Sequence, residues 1–305
     1  MPCFHPTTAY RSRSVNPSGK RSLVFVPDQG LAGSEIKIPC GGCMGCRIDK
    51  SQQWATRIMH EASHHEKKCF ITLTYDDLSI PVNGSLDKTH PQKFLKRLRK
   101  AYCAKAGDIR YFLCGEYGDS TNRPHYHAII YGTDFSDRRK HSKNAQGDQL
   151  WVSDTLDNLW SHGNCWIGDV THKSASYVAR YIMKKVTGDR AESHYARIHP
   201  ETGQPFQLQP EYIAMSLKPG IGQLHYEQFK SDFYPSDCAV VKGKKVPVPR
   251  YYDRLLADEN PQMLEAIKLE RVKRAKTKRA DNTPERLAVR EQVLKSKLSQ
   301  LKRSL

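Results

Sequence analysis

Strict alternation of apolar and polar positions predicts β-strands at several places along the chain. In residues 67–77, Phe70, Thr72 and Thr74 face one way while Ile71, Leu73 and Tyr75 face the other. Residues 110–114 and 126–131 are apolar runs rich in aromatic and β-branched side chains, joined by the turn-forming Gly118 to Pro124, and they predict a pair of antiparallel neighbours. Shorter strands are predicted at 23–26, 35–38, 163–170 and 207–217. A 3.6-residue period instead predicts helices. Residues 47–66 place Ile48, Trp54, Ile58 and Ala62 on or near one face, and 91–103 turn Phe94, Leu95, Leu98 and Tyr102 inward with Lys93, Lys96, Arg97, Arg99 and Lys100 outward. Further helices are predicted at 153–161, capped by Ser153 or Asp154, at 174–185, capped by Ser174 or Ser176, at 223–233, and from Thr283-Pro284 onward. Residues 132–149 are polar throughout and predict a flexible loop.

The predicted strand at 126–131 carries the chain's most suggestive chemistry. His125 and His127 are two apart, so on a strand both imidazoles leave from the same face. If this run pairs with 110–114, Glu116 comes back beside them. A His, His, Glu set with open coordination positions suits Mg²⁺ or Mn²⁺ polarising a phosphate. A His-x-His pair by itself is more often accidental than metal-binding.

Charge narrows the partners. Among 305 residues there are 49 Lys or Arg against 32 Asp or Glu, a formal net charge of +17, and such a balance points to a polyanion, nucleic acid first. No apolar run approaches the roughly 18 residues that span a bilayer, and the N-terminal stretch lacks a secretory signal, so no membrane partner and a cytoplasmic setting are expected. Three of the nine cysteines fall at Cys40, Cys43 and Cys46, the spacing of a zinc knuckle that needs one more ligand, either Cys3 or His5. The alternative is a set of reduced thiols in a Gly-rich turn. Residues 60–64, HEASH, match the H-E-x-x-H signature of zinc proteases, yet nothing else in the chain supplies a third ligand or cleft for one. Residues 265–305 hold 13 Lys or Arg against 5 Asp or Glu, a local net of +8, and read either as a solvated tail or as a basic helical arm for DNA or a partner.

The helix predicted at 174–185 adds a second constellation. Tyr177 and Tyr181 are one turn apart and share a face, with Arg180, Lys184 and Lys185 nearby. Alone, such a pair reads as two core tyrosines. A phenol, with an ordinary pKa of about 10, becomes a competent nucleophile where a metal polarises the phosphodiester and cations take up the developing charge.

Three segments, TLTY at 72–75, GEYGDSTNRPHYHAIIYG at 115–132 and YVARYIMKK at 177–185, resemble in order the three motifs of the HUH-type rolling-circle replication initiators. Together with CGGCMGCR and the N-terminal MPCFHPTTAYRS they make residues 1–190 similar to the replication-initiation proteins of microviruses, small single-stranded DNA phages of the gokushovirus kind. The resemblance implies an α+β fold, an antiparallel sheet of about five strands with flanking helices of the RRM-like type, and a tyrosine helix lying across the histidine face. It implies a metal-dependent endonuclease that nicks single-stranded DNA at the viral origin, forms a 5′-phosphotyrosine link through Tyr177 or Tyr181, and leaves a 3′-hydroxyl for the host replication machinery in the bacterial cytoplasm. Glu116 is the expected third metal ligand and Asp119 its runner-up, while Arg180 stands where the family often has Lys. The expected organisation is a Cys-containing lead-in and helix at 1–66, the endonuclease core at 67–190, a loop-rich extension at 191–255 and a basic helical tail at 256–305. The alternative from another class is a non-catalytic single-stranded DNA-binding protein.

Overall fold

The computed structural model describes residues 3–144, 146–180, 185–186, 188–199, 201–241 and 243–300. Two compact units divide the chain, one formed by Met1–Lys50 with Lys268–Arg303 and the other by Ser51–Ile267.

In the first unit, β1 (Thr7–Arg11) pairs with both β2 (Leu23–Val24) and β3 (Ile36–Ile38), all antiparallel. Helix α1 (Met44–Ala62) begins here and crosses the boundary between the units.

The second unit contributes β4 (Lys68–Leu73), α2 (Thr89–Ala101), β5 (Arg110–Tyr117), β6 (Pro124–Tyr131), β7 (Arg139–Lys143), β8 (Gln149–Val152), α3 (Asp154–Trp160), β9 (Cys165–Gly168) and α4 (His172–Arg180). After these come α5 (Arg190–Tyr195), the hairpin β10 (Ala196–Ile198) and β11 (Pro205–Gln207), β12 (Tyr212–Met215), α6 (Gln223–Phe233), the hairpin β13 (Ala239–Val241) and β14 (Lys244–Val246), and α7 (Arg250–Glu259). Helix α8 (Pro261–Thr277) leads back to the first unit, which holds α9 (Pro284–Ser299).

Among the described residues, seven strands form one antiparallel sheet in the order β12-β5-β6-β4-β9-β8-β7. The fold is therefore α+β with flanking helices, as the sequence indicates, and the sheet is wider than the five strands expected. One edge of the sheet is β12, which falls within the strand expected at 207–217. The other edge is the β7–β8 hairpin, which begins where a flexible loop is expected at 132–149. All five residues of β7 are exposed, so the strand buries no side chain and leaves no alternation to read in the sequence. Arg139 ties this edge to the first residue of α3 with two hydrogen bonds to the Asp154 carboxylate, 2.7 and 2.8 Å.

Alternation along the central strands divides the core in two. One face carries Cys69, Ile71, Leu73, Leu113, Tyr126, Ala128 and Ile130, and packs against Phe94, Leu95 and Leu98 of α2 and Leu156 and Trp160 of α3. The opposite face carries Phe112, Cys114, Ile129 and Tyr131, and packs against Ala55, Ile58 and Ala62 of α1 and Ala175, Val178 and Ala179 of α4. Burying both faces explains why β5 and β6 read as continuous apolar runs. A third cluster joins Tyr226 and Phe233 of α6 to Tyr252 and Leu256 of α7 and to Leu264 and Ile267 of α8.

The caps follow the sequence in part. Ser153 caps α3 by accepting from the Leu156 N–H at 3.1 Å, and Thr283 caps α9 with Pro284 in its first turn. Ser174 does not cap α4. The helix starts two residues earlier, and the Ser174 hydroxyl accepts from the Thr171 N–H at 2.8 Å from inside the first turn.

Candidate metal and tyrosine site

Strand register assembles the site. β5 and β6 pair with Glu116 directly opposite His125 and Cys114 opposite His127, while β4 and β6 pair with Thr72 opposite His127. Glu116, His125 and His127 consequently project from one face, the face covered by α1 and α4. Glu116 Oε1 lies 2.9 Å from His125 Nε2 and 2.9 Å from His127 Nε2. The three donor atoms fall within 4.8 Å of one another, close enough to share one ion.

Both imidazoles are held in the orientation a ligand requires. His125 Nδ1 donates to the Arg123 carbonyl at 3.2 Å, and His127 Nδ1 meets the Thr72 hydroxyl at 3.0 Å. Each ring thus turns its Nε2 toward Glu116, the arrangement in which a second contact fixes the ring of a metal-binding histidine. Phe70 stacks on His127 with centroids 5.6 Å apart and planes 12° from parallel, closing off the remaining rotation.

The set is nearly sealed, with Glu116 at 0% side-chain exposure, His127 at 6% and His125 at 13%. Burial alone pushes the Glu116 carboxyl upward, but hydrogen bonds to His125 and His127 and their charge outweigh it and hold the group down at about 2. An ionised carboxylate beside two imidazoles with aligned Nε2 atoms fits a divalent cation bound by one oxygen and two nitrogens, with positions left open. Asp119 is not part of the set. It sits exposed in the β5–β6 turn, because direct pairing with His125 falls to Glu116.

Helix α4 covers the histidine face and carries Tyr177. Tyr177 packs its ring edge-on against His127, centroids 5.0 Å apart at 83°, and edge-on against Phe70 at 6.3 Å. The Arg180 guanidinium stands 5.7 Å from the Tyr177 ring centroid, and Arg180 and Lys185 are exposed. Tyr181 and Lys184 lie outside the described residues. Thr72 joins the site beyond the residues that motif and spacing single out, and its mark in the sequence is a polar residue on the Phe70 face of an otherwise apolar strand.

Other candidates are placed elsewhere. The cations of α2 sit on a helix that packs on the sheet face opposite the histidines. Arg97 is committed to packing, donating to the carbonyls of Leu159 at 2.7 Å and Trp160 at 3.0 Å. The HEASH match is structural. Glu61 is buried, paired with Arg110, and accepts the Gly222 N–H at 2.7 Å, while His60 Nδ1 bonds the Tyr252 hydroxyl at 2.8 Å and its ring stacks on His225 at 4.0 Å. With the glutamate spent on an arginine and the histidine on a phenol, no protease centre remains. Cys3, Cys40, Cys43 and Cys46 do come together, their sulfurs all within 4.8 Å of one another.

The site segments are also those shared with known proteins. A family model described as replication-associated protein ORF2/G2P matches residues 68–186, from β4 through α4 and slightly beyond. The chain belongs to the replication-associated protein family, and a role in phage replication follows from that membership. It is 34% identical over 252 residues to replication-associated protein ORF2 of Spiroplasma virus 4, a match spanning 78% of this chain and 74% of the relative. Replication-associated protein VP4 of Bdellovibrio phage phiMH2K is 32% identical over 236 residues, spanning 75% and 70%. Replication-associated protein ORF4 of Chlamydia phage 1 is 28% identical over 225 residues, spanning 72% and 53%. No solved structure matches the chain. No helix among the described residues is long and apolar enough to cross a membrane.

Proposed function

We propose that this protein initiates rolling-circle replication by nicking single-stranded viral origin DNA with a tyrosine nucleophile and later rejoining the strands. The observation that carries the reading is the packing of the Tyr177 ring against His127 at 5.0 Å, a phenol set beside a two-imidazole, one-carboxylate donor set. Glu116, His125 and His127 would hold Mg²⁺ or Mn²⁺, and two nitrogen donors favour Mn²⁺ of the two. Such an ion, when bound, supplies Lewis-acid polarisation of the scissile phosphate.

The protein's own groups do the rest. Thr72 and the Arg123 carbonyl keep both Nε2 atoms aimed at one point. The Tyr177 oxygen bonds to phosphorus as the bond to the 3′ oxygen breaks; the phenolic proton passes to water and the departing 3′ oxygen takes one up. The products are a 5′-phosphotyrosine ester and a free 3′-hydroxyl. The ester conserves the energy of the cleaved bond, so attack by a 3′-hydroxyl runs the reaction backward and reseals a strand. Tyr181, four residues on, supplies a second nucleophile for strand transfer, and Arg180, Lys184 and Lys185 offer positive charge to the phosphates. The free 3′-hydroxyl primes the host replication machinery in the cytoplasm of the infected bacterium.

The test is incubation of full-length protein with Mn²⁺ and labelled viral-strand DNA spanning the origin, followed by denaturing electrophoresis. A protein–DNA adduct is expected from the wild type, and none from His125→Ala/His127→Ala, from Tyr177→Phe/Tyr181→Phe, or in chelator. Retention of DNA by the wild type with no adduct under any divalent ion overturns the reading in favour of a non-catalytic single-stranded DNA-binding protein. An adduct formed by the tyrosine double variant overturns the assignment of the nucleophile.

A further inference from the structure

We propose that Cys3, Cys40, Cys43 and Cys46 bind a structural zinc ion that holds the N-terminal sheet together. The proposal is independent of the replication chemistry and rests on three observations within the first unit.

The first observation is spacing. Cys3 Sγ lies 3.5 Å from Cys40 Sγ and 3.8 Å from Cys43 Sγ, and all four sulfurs fall within 4.8 Å of one another. Zn–S bonds of about 2.3 Å in a tetrahedron place sulfurs about 3.8 Å apart. A disulfide needs about 2.05 Å and would engage the sulfurs only in pairs.

The second is the backbone around the sulfurs. The Cys40 N–H donates to Cys3 Sγ at 3.2 Å, the Cys43 N–H to Cys40 Sγ at 3.3 Å, and the Phe4 N–H to Cys43 Sγ at 3.4 Å. Amide donors aimed at sulfur stabilise thiolates, the form in which cysteine binds metal. The alternative fourth ligand, His5, is turned away, with Nε2 2.9 Å from Glu291 Oε2.

The third is what the surrounding segment lacks. Between Cys3 and Cys43 the buried hydrophobic side chains are Phe4 and Ala9, whereas Val15, Leu23, Phe25, Val26, Leu31 and Ile36 are exposed. Strands of two to five residues with so little apolar burial do not hold a sheet by the hydrophobic effect, and segments of this kind are fastened by a metal or by disulfides. Cys3 precedes β1, Cys40 and Cys43 follow β3, and Cys46 lies in the first turn of α1, so one ion joins both ends of the sheet to the helix start. Four soft sulfur donors and no open position select zinc over Mg²⁺ or Mn²⁺ and mark a structural ion. Binding forms four Zn–S bonds and releases four thiol protons, with no change of oxidation state.

The test uses full-length protein purified under reducing conditions without added metal. Elemental analysis is expected to find one zinc per chain, and the same value in His125→Ala/His127→Ala, which removes the other ligand set. Stepwise mercurial titration of the wild type should release that zinc to a colorimetric chelator as four thiols react, and cobalt substitution should give an intense thiolate-to-metal charge-transfer band. In Cys40→Ser/Cys43→Ser the zinc should be absent and limited proteolysis should cut within the first 43 residues. Because the titration needs no variant, poor folding of the cysteine variant leaves the outcome readable. Wild-type protein with no zinc and freely reactive thiols, or zinc that disappears with His125→Ala/His127→Ala yet persists in the cysteine variant, overturns the proposal.

Discussion

Two ligand sets in this chain are built by opposite means. Glu116, His125 and His127 are brought together by strand register in the middle of a seven-stranded sheet, between apolar residues that pack whether or not an ion is present. The four cysteines converge from a chain terminus and a Gly-rich turn beside a sheet with almost no apolar interior. In the first case the fold positions the ligands, and under the zinc proposal the ligands of the second position the fold. Loss of the ion should therefore separate activity from stability at one site and merge metal loss with unfolding at the other.

The sharpest challenge to that contrast is Glu116→Gln, which keeps the shape of the side chain and removes its charge. Adduct formation should fall by roughly 10³-fold, the equivalent of several kcal/mol of lost charge stabilisation, while thermal melting of the metal-free protein stays near wild type. A collapse of the melting transition would show that the carboxylate holds the sheet and erase the distinction. A smaller effect is expected from Thr72→Val, which removes the hydroxyl at His127 Nδ1 without changing volume much. The Mn²⁺ concentration giving half-maximal adduct should rise about 10- to 100-fold, with the rate at saturating Mn²⁺ little changed. An unchanged requirement would mean that Phe70 stacking alone orients the ring.

The smallest effect concerns histidines that resemble ligands and are not. Burial, reinforced by His225 and His64, depresses His60 to about 3, so the folded protein keeps it neutral while the unfolded chain takes up a proton near pH 6.5. Since the unfolded state binds more protons, the stability this residue contributes is complete above about pH 6.5 and is lost as pH falls toward about 3. By pH 5 the loss is about 2 kcal/mol, from roughly 1.36 kcal/mol per pH unit. The wild type should lose melting temperature between pH 7 and 5, and His60→Phe should flatten that decline; an equally steep decline would place the acid sensitivity elsewhere.

The legible part of this molecule was whatever has a period or a spacing. Alternation in 67–77 and the apolar runs on either side of Gly118 to Pro124 were enough to foresee β4, β5 and β6, and an assumed hairpin brought Glu116 to the histidines. The pairing of β4 with β6 was not legible, because a period of two fixes which face a residue takes and not which strand it meets. The partnership of Thr72 with His127 therefore emerges only from the strand register. The same limit holds for α2, since a helical wheel shows an outward face without showing which side of the sheet the helix covers. HEASH failed for another reason: Glu61 is claimed by Arg110, 49 residues away, and no local pattern contains that pair. The convergence of Cys3 with Cys40 and Cys43 was open in the sequence as one of two fourth ligands, and it depended on where the terminus returns.

Two residues with no chemistry of their own set the reach of the proposed nucleophile. Ala175 and Ala179 are fully buried, one turn apart, on the side of α4 that meets the sheet. They act as shims. With nothing beyond Cβ, they let the helix axis settle close to the strands, and the thickness of that gap decides how far the Tyr177 ring stands from His127. Any longer side chain there would raise the helix and carry the phenol outward with it, leaving every ligand in place. The distance over which this protein can act is thus written in the smallest side chains of the site's surroundings.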